Sequence, residues 1–227
     1  MSAGLNRRRY LLPKMEGVTA RWYARLRGTP SQIALYREQA ATLTAGLPDG
    51  AAVLEVAPGP GYLAIEVAKL ARFQVTGLDI SRTMVQIARE HATAASVPVD
   101  FEHGDATAMP FADGSFDLIV CQAAFKNFGR PVSALDEMHR VLRSGGVAVV
   151  QDMRKEATTA EIDREVRSQQ LGAVNGFITR RVLAGLRNRA YSTGQFEQLV
   201  EESLFSSYTV HADGIGLEVR LRKEPAA

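Results

Sequence analysis

Five short apolar runs between residues 52 and 152 alternate with stretches of helical period, and this limits the fold of the 227-residue chain more than any other property. The runs lie at about 52–57, 73–78, 99–103, 116–122 and 147–152. Between them, Leu63, Val67 and Leu70 share one face of a predicted helix over 61–71. Met84, Ile87, Ala88 and His91 share a face over 82–92, with Ser81 as N-cap. A further helix, over 131–142, turns Leu135, Met138 and Leu142 inward. Strands alternating with helices predict an α/β fold with a doubly wound, mainly parallel sheet. Ligands of such sheets bind outside the carboxyl ends of the strands. Glu55 to Gly61, Asp79, Asp105, Gln122 and Asp152 all fall along that edge.

The loop after the first run reads VLEVAPGPGY. Gly59 and Gly61 allow a ligand to approach the backbone, and the helix behind them presents free N–H groups. The segment Gly59-Pro-Gly61-Tyr-Leu-Ala64 fits G-x-G-x-x-A, a dinucleotide fingerprint that does not by itself choose the ligand. Asp79 lies 20 residues beyond Gly59, where a carboxylate accepts hydrogen bonds from ribose hydroxyls. Its other reading, a cap for the next helix, is already filled by Ser81. Glu55 would repel a pyrophosphate and attract an ammonium or sulfonium, or else it serves a loop N–H. Asp105 and the Ala106 N–H could read an adenine edge, or Asp105 forms a turn. Together these acids suit an adenosine that carries a positively charged amino-acid tail.

The motifs VLEVAPGPGY, GLDIS, HGDATAMPFADGSFDLIVC and PVSALDEMHRVLRSGGVAVV resemble those of class I S-adenosylmethionine-dependent methyltransferases. The nearest likeness is to the ubiquinone/menaquinone-biosynthesis group, over about residues 50–152 and again at the terminal hairpin. The resemblance implies a Rossmann-like, seven-stranded sheet whose last strand is antiparallel. It also implies S-adenosylmethionine as cofactor and S-adenosylhomocysteine as product. On it, Glu55, Ala57, Pro58, Gly59 and Gly61 would hold the methionine part, Asp79 the ribose, and Asp105 with Ala106 the adenine edge. Ile80 would flank the adenine, and Met84 would pack on the adenosine or simply in the core. Gln122 would sit near the reacting methyl. The chain departs from the family at Ala57, where glycine is usual.

Four parts are expected. Residues 1–45 form an N-terminal helical lid, 46–153 the cofactor-binding core, 154–193 a helical cap insert, and 194–227 a final helix and a terminal β-hairpin around Asp213-Gly214. Ser31, after Pro30, is the expected N-cap of a helix in the lid. Three side chains are candidates for the methyl-transfer site. Lys126 either steers an anionic acceptor or is a solvated loop lysine. Asp152 either orients a hydroxyl or caps a turn. Tyr23, beside Trp22, either closes over the cofactor or packs against the core. Arg180, Arg181, Arg187 and Arg189 make the insert basic, which suits an acidic substrate or a solvated face.

A net charge of +2 argues neither for nor against an anionic partner, but the lack of a basic, aromatic-studded stripe argues against nucleic acid. No apolar run reaches the ~18 residues of a membrane span, and Arg7, Arg8 and Arg9 lack an apolar stretch of secretory type behind them. A cytoplasmic protein is therefore expected. The four histidines are scattered, which gives no metal cluster, and the single cysteine, Cys121, lies in an apolar run. The expected activity is methyl transfer to a small-molecule acceptor. Its rivals are another reaction on the same cofactor fold, a catalytically silent binding protein and, least favoured, an NAD-dependent oxidoreductase. The oligomeric state is not legible.

Overall fold

The computed structural model describes residues 15–168 and 173–225. Arg7, Arg8, Arg9 and Leu171 lie outside the described residues. Two helices lead in, α1 (Gly17–Arg27) and α2 (Pro30–Leu43). Next come β1 (Ala52–Val56), α3 (Tyr62–Ala68), β2 (Gln74–Asp79), α4 (Arg82–Ala94), β3 (Asp100–His103) and β4 (Phe116–Gln122). Then follow α5 (Pro131–Val141), β5 (Leu142–Met153), α6 (Thr159–Ser168) and α7 (Ala173–Arg187). The last elements are α8 (Thr193–Glu201), β6 (Ser207–Asp213) and β7 (Gly216–Arg222).

The seven strands lie in the order β3-β2-β1-β4-β5-β7-β6. β1 to β5 run parallel, and β7 slots between β5 and β6, antiparallel to both. Both faces of the sheet are covered, which is why the central strands read as unbroken apolar runs. On one face Leu54, Ile119, Val150 and Val219 meet Leu135 and Met138 of α5 and Phe196 and Leu199 of α8. On the other, Val53, Val120 and Val149 meet Ala40, Leu43, Leu63, Val67 and Ala88 of α2, α3 and α4. Ile119 and Leu135 are fully buried, and burial of such a side chain contributes about 1.5–3 kcal/mol. The parallel order brings the carboxyl ends of β1, β2 and β4 together.

Three local expectations change. The N-cap of α2 is Thr29, and Pro30 takes the first helical position, where its missing N–H costs nothing. Ser31 is therefore inside the helix. Helix α3 stops at Ala68, and Leu70 lies beyond it in a turn that carries Ala71 at φ +55. Ser144-Gly-Gly146, whose residue types predict a turn into the strand that starts at Val147, is instead part of β5. Pairing with β4 jumps from Phe116–Leu142 to Leu118–Val147, so residues 143–146 form a bulge.

The pair α6 and α7 packs through Ile162, Val166, Leu183 and Leu186 onto Met153 and Ile215. Helix α1 packs small residues, Ala20 and Ala24, on Met84 and Ile87 of α4. Its Val18, Trp22 and Leu26 face outward, Trp22 at 62% exposure. Among the described residues no helix is long and apolar enough to cross a membrane, and no group of His, Cys, Asp and Glu could hold a metal ion.

Candidate functional site

The loop between β1 and α3 is built by two acids. Helix α3 begins at Gly61, which has no side chain to cap it. Glu55 does this from the strand: its Oε2 accepts the Ala64 N–H at 2.9 Å, in the first turn of the helix. Burial pushes the Glu55 carboxyl up to about 8; the Ala64 hydrogen bond opposes this and the Asp79 charge adds to it. Asp79 joins two loops. Its Oδ2 accepts the Gly59 N–H at 3.0 Å and its Oδ1 the Ser81 N–H at 2.8 Å. Burial raises Asp79 to about 6 against the pull of those two N–H groups. Ser81 caps α4, its Oγ accepting the Met84 N–H at 3.0 Å. Asp79 therefore organises the loop.

Backbone conformation in the loop is demanding. Gly61 has φ +80, and a Cβ there would come 2.7 Å from Phe101 Cζ and 2.9 Å from Ala88 Cβ. Only glycine lets α3 start this close to β3 and α4. Ala57 has φ +57, a left-handed conformation that costs an L-residue about 1–2 kcal/mol. Its N–H is fixed on the Leu78 carbonyl at 2.8 Å, and the Pro58 carbonyl accepts the Gly61 N–H at 3.0 Å.

The start of α1 is tied to the start of α4 by contacts that sequence reading missed. Glu16 accepts the Arg82 and Thr83 N–H groups at 3.1 and 3.0 Å, and also the Thr83 hydroxyl. The Thr83 hydroxyl bond is the main influence holding Glu16 below the usual carboxylate range. The Ser81 hydroxyl donates to the Met15 carbonyl at 2.6 Å. Glu16 thus acts as a second cap on α4, supplied from another helix. The partners lie 66 and 67 residues away, so no local spacing announces them. Tyr23 packs with Ala20, Ala24, Met84 and Ile87. Its Cε1 also lies 4.0 Å from where a Cβ on Gly59 would be. Tyr23 thus packs against the core beside the glycine loop. Tyr62 stacks on His91 at 4.9 Å, and His91 Nδ1 meets the Pro60 carbonyl at 2.9 Å.

The other predicted cofactor residues are more dispersed in role. Met84 is buried against α1. The Ile80 carbonyl meets His103 Nε2 at 3.2 Å. Asp105 Oδ1 accepts the Thr107 N–H at 2.8 Å and the Thr107 hydroxyl at 2.9 Å, which makes a turn. Ala106 leans on the α5 face of the core. Gln122, at the end of β4, donates from Nε2 to Gln151 Oε1.

Lys126 is not a solvated lysine. Its side chain is 3% exposed and pairs at 2.7 Å with Asp152, 7% exposed. The same Nζ also donates to the Ala123 carbonyl, and Asp152 accepts the Lys126 and Met153 N–H groups at 3.0 and 2.8 Å. The pair staples the 123–128 loop to the end of β5. Every charge is matched, so neither group is free to steer an anion. Cys121, one residue before Gln122, is fully buried, and burial pushes its thiol well up. A separate open groove, of about 620 Å³, runs along α4 past Arg82, Arg89 and His103, away from the glycine loop.

Residues 54–150 match the family model described as a methyltransferase domain. A demethylmenaquinone methyltransferase of Deinococcus radiodurans is 40% identical over 99 residues, which covers 43% of this chain and 41% of that protein. The chain thus spans about two fifths of the length of that relative. A solved structure from Methanococcus maripaludis superposes with a TM-score of 0.71 at 22% identity, covering 95% of this chain and 97% of its own. The cyclase SpnF superposes at 0.66 with 20% identity, over 86% and 82% of the two chains. These structural likenesses establish the fold. Residues 54–150 are thus similar to the methyltransferase-domain family, and the fold is the one that the solved S-adenosylmethionine-dependent methyltransferase structure shares.

Proposed function

We propose that this chain binds S-adenosylmethionine at the carboxyl ends of β1, β2 and β4 and transfers its methyl group to a small-molecule acceptor. The observation that carries this reading is the Glu55–Ala64 hydrogen bond. A dinucleotide cradle offers the first-turn amides of its helix to a pyrophosphate. Here a carboxyl group has taken such an amide, and its ionised form would repel a dianion. A sulfonium and an ammonium are attracted by the same group.

When bound, the cofactor supplies an electrophilic methyl on sulfur. The chain's residues supply position. Glu55 faces the cationic tail, and Ala57 to Gly61 wrap it. Asp79 reads the ribose, beside Ile80 and Met84, and Asp105 with Ala106 reads the adenine edge. Gln122 borders the reacting methyl. In-line displacement onto a neutral leaving group asks chiefly for alignment, and a general base is needed only for an acceptor that is protonated at working pH. Lys126 and Asp152 serve by holding the acceptor side of the 123–128 loop. Helices α1 and α2 act as a lid through Tyr23, and α6 with α7 caps the acceptor side. The Deinococcus radiodurans relative is named for demethylmenaquinone, so an aromatic quinol is the first acceptor class to try.

Calorimetric titration with S-adenosylmethionine, S-adenosylhomocysteine and NAD tests the cofactor. Binding of the first two without the third is expected, and no binding of either at millimolar concentration sinks the proposal. A screen of quinols, phenols, thiols, amines and carboxylic acids, read as S-adenosylhomocysteine formed per methylated product, then separates transfer from rearrangement. Silence across the whole panel would favour a binding protein.

A further inference from the structure

Gln122, Gln151 and Glu218 stand at one level across β4, β5 and β7, with His211 of β6 beyond them. Direct neighbours in a sheet point to the same face, so the side chains form a row that ends beside the loop after β1. They are linked in one direction. Arg220 Nε donates to Glu218 Oε1 at 2.7 Å, and Gln151 Nε2 donates to Glu218 Oε2 at 2.6 Å. Gln122 Nε2 donates to Gln151 Oε1.

The direction follows from chemistry. An ionised carboxylate can only accept hydrogen bonds. Half-burial works against the Glu218 charge, but the Gln151 and Arg220 hydrogen bonds, with the Arg220 and His211 charges, keep this carboxyl below its usual range. Gln151 must therefore turn its NH2 to Glu218 and its oxygen to β4. Gln122 must then turn its NH2 to Gln151. Its Oε1 is left without a hydrogen-bond donor among the described residues, at the strand end that borders the cofactor loop.

We propose that Glu218 acts through this two-amide relay as a positioning residue. It fixes the Gln122 oxygen as a hydrogen-bond acceptor in the site and so selects acceptors that carry an O–H or N–H beside the atom to be methylated. This selectivity rests on the methyl-transfer reading, whereas the relay itself does not. A site that offers only an acceptor oxygen rejects an ether in place of the hydroxyl, because the ether leaves that oxygen unpaired.

The test uses the full chain in two arms. In the first, 15N spectra follow the side-chain amides of Gln122 and Gln151 in the wild type, Glu218→Gln and Glu218→Leu. The Gln122 resonances should move and their exchange with water should quicken in Glu218→Leu, whereas Glu218→Gln, which still offers Gln151 an oxygen, should stay close to the wild type. Gln122 resonances indifferent to Glu218→Leu would overturn the relay. In the second arm, 1,2-naphthoquinol and 2-methoxy-1-naphthol are compared as methyl acceptors. The wild type should favour the quinol by roughly tenfold in kcat/KM, the worth of about one hydrogen bond. Glu218→Leu should erase that preference through KM and leave S-adenosylmethionine affinity unchanged. Equal losses on both probes would mean a merely structural role and would overturn the selectivity. If neither probe is methylated by the wild type, the quinol reading of the acceptor and the selectivity fail together, while the spectra still decide the relay.

Discussion

Replacing Glu55 with glutamine isolates what its buried charge does. Glutamine keeps an oxygen for the Ala64 N–H and fills the same space, so the capping hydrogen bond and the packing survive. What it removes is the ability to ionise. The Glu55 carboxyl is raised from 4.5 to about 8, chiefly by burial. A raised carboxyl contributes full stability below its unfolded value and loses it as the pH climbs to the folded value. Each pH unit in that window removes about 1.4 kcal/mol, about 5 kcal/mol across the whole of it. Asp79, raised from 3.8 to about 6, adds a similar slope at lower pH, but it does so in the wild type and the variant alike. The clean window is therefore pH 6 to 8, where the variant should gain about 3 kcal/mol over the wild type.

Urea melts followed by circular dichroism at half-unit steps from pH 5 to 9 would measure this. The two stability profiles should coincide near pH 5 and diverge steadily to pH 8. Parallel profiles would refute the reasoning, because they would mean that Glu55 ionises in the folded chain as easily as in the unfolded one. The ligand side has the opposite sign. If Glu55 receives a cationic tail, binding must ionise it and expel a proton. S-adenosylmethionine affinity should then rise with pH between 6 and 7 by up to about tenfold in the wild type, and stay flat in Glu55→Gln.

Other expectations follow from single contacts. Ala57→Gly relieves a left-handed alanine and should stabilise the chain by about 0.5–1 kcal/mol after glycine's extra chain entropy is counted, seen as a small rise in Tm. Gly61→Ala forces a methyl onto Phe101 and Ala88 at φ +80 and should cost about 2–4 kcal/mol in a denaturant melt. Glu16→Ala should speed amide exchange in α1, read by mass spectrometry, while exchange in β1 and β4 stays unchanged. Lys126→Met leaves Asp152 buried without its cation and should cost about 3–5 kcal/mol, and adding Asp152→Asn should restore part of it.

The sheet was legible because its evidence is local. Five apolar runs and the terminal hairpin around Asp213-Gly214 each announce themselves within a few residues, and the capping of α4 by Ser81 is an i to i+3 contact. The resemblance supplied the antiparallel position of β7, which periodicity alone does not contain. What escaped was pairing at a distance. Lys126 reads as a loop lysine until Asp152, 26 residues on, is seen beside it at the end of the adjacent strand. Nothing in the sequence around Glu16 points to Thr83, 67 residues on. The bulge in β5 escaped for a different reason: Ser144-Gly-Gly146 has turn chemistry, and a turn and a bulge ask for the same left-handed glycine, here Gly145 at φ +80.

On the proposed function, the two acids singled out in the sequence, Glu55 and Asp79, would do two jobs with the same oxygens. Glu55 holds the Ala64 amide at the start of α3 at 2.9 Å and Asp79 the Gly59 amide at 3.0 Å, and the proposed cofactor would be read by the same two groups. This sharing has a physical consequence. A loop held by its own recognition groups is already shaped before a ligand arrives, so little ordering entropy remains to be lost on binding. The cost is paid in the empty fold, where two carboxyls sit buried with no cation between them. A positively charged ligand removes that cost and gains a preformed loop. A dianionic one would gain the loop but meet the charge. The same pair of acids thus gives up stability of the empty fold for selectivity toward the cation, and Glu55→Gln should reverse the exchange: a fold more stable at pH 8 that binds S-adenosylmethionine less tightly.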